Sequence, residues 1–267
     1  MPARQAIDMI QNQYMEMSTE ERKRYWLERD LKTFNREKGD GSCEICNGKG
    51  LIAFIDGDCV RCKPCKCRIR EINELRLKKS GLKDLLDIYT FDNFKVEEEW
   101  QKRLKESAIE FLKEPKGWFF VGGQVGCGKT HICTAIVGEL LKRGFESRYI
   151  VWTNEVTKLK ANKNDEDAYN RLISPLEIAK VLYIDDFLKV GGNSDTPTAS
   201  DIRTAFEILN YRYNNRKDLI TIISSEKTID NIIDCDEALG SRINEMSKKF
   251  RSIIKYEKSR NYRLKQK

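Results

Sequence analysis

The sequence predicts an α/β protein with a largely parallel sheet, preceded by a small helical, zinc-binding segment. Three observations predict it. Helical stretches alternate with short apolar runs from about residue 82, a G-x-x-x-x-G-K-T stretch lies between one such run and a helix, and six of the nine cysteines fall between residues 43 and 67. Alternating helix and buried strand is what a parallel sheet covered on both faces requires. The 267 residues, 34% of them charged and 40% hydrophobic, suit one or two globular domains and exclude fibrous and low-complexity classes. No apolar run approaches the ~18 residues of a membrane span, so no membrane partner is expected. The opening Met1-Pro2-Ala3-Arg4-Gln5-Ala6-Ile7-Asp8 lacks the apolar core of an export signal. A cytoplasmic, reducing location is therefore expected, in which the cysteines serve as metal ligands or free thiols rather than a disulfide framework.

Taken in order, residues 1–40 read as helical and charged. Ser18 and Glu21 fit a capping box. Behind them Tyr25, Trp26, Leu27, Leu31 and Phe34 form an apolar stripe at helical spacing, serving either its own core or a partner. The helix is expected to stop near Gly39-Asp40-Gly41. Residues 68–80 form a charged connector ending at Ser80-Gly81, dividing the chain into domains 1–80 and 81–267. Strands are expected at 118–121, 147–151, 180–184 and 219–224, a helix at 131–142, and a flexible loop at 191–197.

The glycine-rich stretch runs Gly123-Gln124-Val125-Gly126-Cys127-Gly128-Lys129-Thr130. This is a Walker A pattern, with an apolar run before it and a helix after it. Its glycines let successive N–H groups point at phosphate oxygens, and the helix N-terminus adds its positive end. The expected nucleotide-binding set is Gly123, Gly126, Cys127, Gly128, Lys129, Thr130 and His131, with Lys129 on the β and γ phosphates and the Thr130 hydroxyl on Mg²⁺. The side chains of His131 and Cys127 are read as a helix-start residue and an ordinary thiol. The apolar run Val181-Leu182-Tyr183-Ile184 ends in Asp185-Asp186, a Walker B pattern. Asp185 is expected to hold Mg²⁺, and Asp186 to act as general base on the attacking water of ATP hydrolysis. The run 219–224 leads into Ser225 and Glu226, where a polar group near the γ-phosphate is expected, and Arg242 is a candidate arginine finger for a neighbouring subunit.

Cys43, Cys46, Cys59, Cys62, Cys65 and Cys67 offer two ways to complete a four-thiolate Zn²⁺ site begun by Cys43-x2-Cys46. Spacing alone favours closure by Cys59-x2-Cys62 over Cys65-Lys66-Cys67. An iron–sulfur cluster is a chemically allowed alternative. Basic charge is concentrated late in the chain: residues 243–267 carry nine Lys and Arg against two Glu, accounting for all of the net +7. Such a segment attracts polyanions or simply solubilises the chain.

The order of these motifs resembles the AAA+ ATPases of the DnaC/DnaI helicase-loader family, which includes the IstB transposition helpers. The residues that carry the resemblance are Tyr89-Thr90-Phe91-Asp92-Asn93-Phe94, Gly128-Lys129-Thr130-His131, Ile184-Asp185-Asp186, Ile208-Leu209-Asn210-Tyr211-Arg212-Tyr213, 221–226 and Gly240-Ser241-Arg242-Ile243. It covers about residues 85–267. It implies an αβα sandwich and an ATP-dependent loader of a hexameric DnaB-type replicative helicase onto single-stranded DNA, self-associating through the ATPase domain when on the helicase. By resemblance Lys129 and Thr130 contact nucleotide, Asp185 binds magnesium, Asp186 is the hydrolytic acid and Arg242 the trans-acting finger. The resemblance also selects Cys43, Cys46, Cys65 and Cys67 as the zinc ligands. Residues 1–80 become a helicase-gripping adaptor, and Lys248, Lys249, Arg251, Lys255, Lys258, Arg260 and Arg263 become contacts to DNA. An IstB-like helper of a transposase and a non-hydrolysing adaptor are the competing readings. One departure stands out: many relatives read Thr-Ser-Asn where this chain reads Ser224-Ser225-Glu226, and an ionised glutamate cannot donate to phosphate. Ser225 or Ser224 is then the expected substitute.

Overall fold

The computed structural model describes residues 14–264 apart from 16, 81, 192–195 and 216. It forms two units, Met1–Glu71 and Ile72–Lys267. The division falls inside a helix rather than after Ser80. Residues 1–8, read as lacking an export signal, Gly81 at the end of the connector and most of the 191–197 loop lie outside the described residues. No helix among the described residues is long and apolar enough to cross a membrane.

In the first unit, helix α1 (Thr19–Arg36) begins at Ser18, whose side chain accepts from the Glu21 N–H while the Glu21 carboxylate accepts from the Ser18 N–H. The sequence-level capping box is therefore built. None of its residues is buried, and Tyr14, Tyr25 and Trp26 pack edge to face at 5.8–6.0 Å. A knuckle follows, then an antiparallel hairpin of β1 (Leu51–Asp56) and β2 (Cys59–Pro64) turning at Gly57. Helix α2 (Lys66–Ser80) carries the chain into the second unit.

The second unit is a parallel sheet of β3 (Trp118–Gly123), β4 (Ser147–Val151), β5 (Val181–Asp185), β6 (Ile220–Ser225) and β7 (Arg251–Ile254), in the order β4-β5-β6-β3-β7. Its helices are α3 (Leu82–Ile88), α4 (Glu99–Lys113), α5 (Lys129–Lys142), α6 (Trp152–Ala161), α7 (Glu166–Glu177), α8 (Ala199–Asn214), α9 (Ile229–Cys235) and α10 (Glu237–Met246). Strand side chains alternate in direction, so each strand feeds two cores. Phe119, Val121, Tyr183 and Ile222 join Leu104, Phe111 and Ile136 on one face. Trp118, Phe120, Leu182 and Ile223 join Trp152, Leu176 and Ile208 on the other. This is the αβα sandwich the sequence predicts. The four expected strands are all present within a residue or two. The fifth, β7, was not expected, because its four residues sit inside the stretch read as a basic tail.

Arg212 on α8 ties the second core together. It is fully buried and without a carboxylate partner among its bonds. Its guanidinium donates to the Thr221 hydroxyl at 2.9 Å and to the carbonyls of Leu176, Glu177, Ala179 and Ile220 at 2.6–3.0 Å. Burial pushes its pKa down to about 9, which leaves it charged at neutral pH. Five carbonyl and hydroxyl dipoles take the place of water around the cation, joining the end of α7 to β6.

Candidate nucleotide site and metal centre

Ligands of open parallel sheets bind beyond the carboxyl ends of the strands, where neighbouring connections diverge. Here β3 ends in the glycine-rich loop and β5 ends in the paired aspartates. Gly123, Gly126 and Gly128 have φ of +106°, +74° and +92°. A Cβ at Gly123 would lie 2.1 Å from the Ile254 carbonyl oxygen, and one at Gly126 would lie 2.1 Å from Asn261 Oδ1. The loop is a cradle that only glycine passes. It delivers the chain to α5, whose first N–H groups have no partner within the helix, the arrangement that receives an anion.

Lys129 is 7% exposed, and its ammonium donates to the carbonyls of Gly123 at 2.8 Å and Gln124 at 2.6 Å. Burial lowers its pKa, opposed by the charges of Cys127, Glu226, Asp186 and Asp185. Across the loop, Thr130 Oγ1 donates to Asp185 Oδ1 at 3.2 Å. The same carboxylate accepts from the Ser224 hydroxyl, from Tyr149 at 3.2 Å and from the Asp186 N–H at 3.1 Å. Burial, then the Asp185 charge, drives the Tyr149 pKa upward, so its hydroxyl remains a donor. Asp186 follows in left-handed backbone, φ +53°, and lines a cavity of about 470 Å³ together with Val125, Lys129, Thr130, His131 and Glu226.

The sequence-predicted residues separate here. Lys129, Thr130 and Asp186 line one cavity, and the buried Asp185 is tied to it through its bond to Thr130. Ser225 does not present its hydroxyl to it: Ser225 Oγ donates to the Phe187 carbonyl at 2.7 Å and accepts from the Lys227 N–H at 3.0 Å. Ser224 is the serine that reaches Asp185. Cys127 is buried, its thiol donating to the Gln124 carbonyl at 2.9 Å, and burial raises its pKa. His131 stacks on Tyr89 at 4.8 Å, meets Phe94 edge-on at 5.2 Å and lies 2.8 Å from the Thr90 carbonyl oxygen. Burial lowers its pKa and keeps the ring neutral. Arg242 sits on α10 over the rings of Phe206 at 4.8 Å and Tyr213 at 5.4 Å, donating to the Ala238 carbonyl at 2.8 Å.

Two features of the site were missed at the sequence level. Lys189 lies between two acids, 3.0 Å from Asp186 Oδ2 and 2.7 Å from Glu226 Oε1. The chain after β7 also returns to the glycine loop. Gln124 exchanges side-chain bonds with the backbone of Glu257, receiving its N–H at 2.7 Å and donating to its carbonyl at 2.8 Å, and the Tyr262 N–H donates to the Gly126 carbonyl at 2.9 Å. Tyr262 and Arg263 thereby line the cavity. Of the basic residues assigned to DNA, Arg260 turns inward to Glu98 and Glu257, at 3.5 and 2.8 Å, while Lys248, Lys249, Arg251, Lys255 and Lys258 are exposed.

In the first unit, the sulfurs of Cys43, Cys46, Cys65 and Cys67 all lie within 4.8 Å of one another. Cys43 and Cys65 are 3.9 Å apart, Cys46 and Cys67 3.4 Å. A tetrahedron with ~2.3 Å metal–sulfur bonds has edges of about 3.8 Å, so this donor set fits zinc. Positive φ at Asn47, Gly48 and Gly50 curls the knuckle so that the Gly50 N–H donates to Cys46 Sγ at 3.2 Å. Burial acts to raise the Cys46 pKa, but hydrogen bonds from Cys67 and Gly50 outweigh it and bring the thiol down to about 7. The same bond to Cys46 pushes Cys67 up to about 12. Cys59 and Cys62 are exposed on β2, outside this group.

Residues 66–267 match the family described as IstB-like ATP binding protein. The chain is 33% identical over 213 residues to the protein YqaM of Bacillus subtilis strain 168, covering 76% of this chain and 66% of that protein. It is 30% identical over 112 residues to the replicative helicase loader DnaC of Escherichia coli K12, covering 40% and 46%. The matched regions thus span less than two thirds of either relative. The crystal structure of the DnaC helicase loader superposes with a TM-score of 0.52 at 19% identity, over 63% of this chain and 97% of that one, a likeness of fold. With a phosphate-shaped glycine loop facing paired aspartates on a parallel αβα sheet, and a family match over most of its length, the chain belongs to the IstB-like ATP-binding family and is related to the DnaC helicase loaders.

Proposed function

We propose that this chain is an ATPase that loads a DnaB-type replicative helicase onto single-stranded DNA. The observation that carries the reading is the meeting of Lys129, Thr130 and Asp186 at one cavity, with Asp185 bonded to Thr130, in a chain related to helicase loaders. Lys129 leaves its two carbonyls for the β and γ phosphates, and the N–H groups opening α5 receive the remaining phosphate oxygens. Thr130 and Asp185 are the residues to hold Mg²⁺, which when bound neutralises charge between the β and γ phosphates. Asp186 accepts the proton of the attacking water. Arg242 serves a neighbouring subunit once it leaves Phe206 and Tyr213. The metal-stapled first unit and the exposed aromatics of α1 grip the helicase, and the exposed late lysines hold DNA phosphates, with binding that weakens steeply with salt.

The test mixes the full chain with its cognate replicative helicase and measures complex mass with and without ATP. An ATP-dependent complex that deposits the helicase on single-stranded DNA is the expected result. Capture of a transposase instead favours the IstB-type reading. ATP turnover equal in wild type and Asp186→Asn favours a non-hydrolysing adaptor.

A further inference from the structure

We propose that Lys189 reads the terminal phosphate of the bound nucleotide, supplying the donor that Glu226 cannot. The inference rests on the nucleotide-site reading above and deepens it. Glu226 stands at the end of β6, beside the position where a phosphate-facing donor is needed, and an ionised carboxylate only accepts. Yet Glu226 is not idle: it holds an ammonium. Lys189 Nζ lies 2.7 Å from Glu226 Oε1 and 3.0 Å from Asp186 Oδ2, and both of those acids line the cavity that contains Lys129 and the glycine loop.

Three features favour this role. First, an ammonium carries three protons and the two acids take two of them; Lys189 stands behind those acids rather than in the cavity wall, and its third proton is left for a terminal phosphate that draws the side chain past them. Second, the charge on this side of the site requires it. Asp185, Asp186 and Glu226 all act on Lys129. A terminal phosphate placed beside Asp186 and Glu226 meets like charge unless a second cation stands there. Burial opposes the Lys189 charge, but the bonds to Glu226 and Asp186 outweigh it and raise its pKa, so the cation is secure at neutral pH. Third, the turn that brings Lys189 back to the two acids is strained. Asp186 and Leu188 hold φ of +53° and +56° without being glycine, and the Lys189 N–H closes the turn on the Asp186 carbonyl at 3.0 Å. Strain of this kind persists at sites where surrounding structure enforces it. ADP has no terminal phosphate to meet Lys189, so the residue separates ATP from ADP.

Calorimetric titration of the full chain with Mg²⁺ and either a non-hydrolysable ATP analogue or ADP tests this. Lys189→Met is expected to weaken the ATP analogue about tenfold while leaving ADP within about twofold, the loss of one charge-assisted hydrogen bond. Lys189→Arg keeps the preference for the triphosphate. Glu226→Gln, which loosens the anchor, weakens the analogue less than Lys189→Met does. Should the Met variant fail to fold, Lys189→Gln replaces it, with the same selective loss expected. Equal weakening of both nucleotides, or no weakening of either, overturns the role of Lys189. A wild-type chain that binds neither nucleotide overturns the underlying site reading itself, and is told apart by the Lys129→Ala control behaving like wild type.

Discussion

Thr130 Oγ1, in the first turn of α5, and Asp185 Oδ1, at the end of β5 and 55 residues on in sequence, lie 3.2 Å apart. On the proposed reading the two oxygens are adjacent ligands of one magnesium ion, which takes the place of their direct bond. Asp185→Asn is therefore expected to raise the Mg²⁺ concentration needed for half-maximal nucleotide binding at least about tenfold, a loss typical of a bond to a charged group. Titration of a fluorescent ATP analogue across magnesium concentrations checks this. Unchanged magnesium dependence contradicts the assignment.

Metal retention at the four-cysteine group depends on pH. Thiolates, not thiols, bind zinc, so protons and metal compete. Each sulfur that takes up a proton is lost to the metal, so acid favours release and alkali favours retention. Zinc release to a chromophoric chelator is expected to accelerate from pH 7.5 to pH 5.5, and Cys46→Ser to release metal throughout that range. Cys59→Ser and Cys62→Ser leave retention unchanged.

Arg212→Met keeps the length of the side chain and removes its donors. Four carbonyls and a hydroxyl then lose a partner inside a dry core. The expected loss is about 3 kcal/mol of stability, several unsatisfied acceptors being partly relieved by relaxation. Urea unfolding of the second unit measures it. A loss under about 1 kcal/mol means the carbonyls found water.

Gln124 fastens the returning chain to the glycine loop. Gln124→Ala deletes both bonds to Glu257 while leaving the glycine backbone unaltered. Hydrogen exchange at residues 257–264 is expected to rise, and nucleotide affinity to fall by about fivefold, the scale of one net hydrogen bond. Faster exchange across the whole sheet, rather than in that segment, indicates a general loss of stability instead.

Arg242 is parked against Phe206 and Tyr213 in the single chain. Arg242→Ala is expected to leave nucleotide binding unchanged and to lower turnover only where chains assemble. An equal loss in isolated chains refutes a role in trans.

Much of this was legible from sequence because the chemistry is local. Gly123 to Thr130 and Val181 to Asp186 are contiguous patterns, and β3 to β6 each announce themselves by an apolar run. The cysteine group was harder. Spacing alone pointed to Cys59 and Cys62, since it takes no account of the hairpin that places them on β2 and returns Cys65 and Cys67 to the knuckle. Lys189, Gln124 and Tyr262 were invisible for a related reason. Each acts through a partner far along the chain, and lysine, glutamine and tyrosine in polar segments carry no periodic signal. Strand β7 was hidden by its own composition, because a short edge strand flanked by lysine and arginine reads as solvated charge until β3 is there to pair with it.

The return of residues 255–264 to the glycine loop carries a consequence for biogenesis. The loop, its helix and both aspartates are synthesised before the segment that walls one side of the cavity. A nascent chain therefore displays an unfinished pocket, whose wall is complete only once Tyr262 and Arg263 have emerged and folded back onto the loop. The pocket stays open on that side until the sheet is closed at the β7 edge.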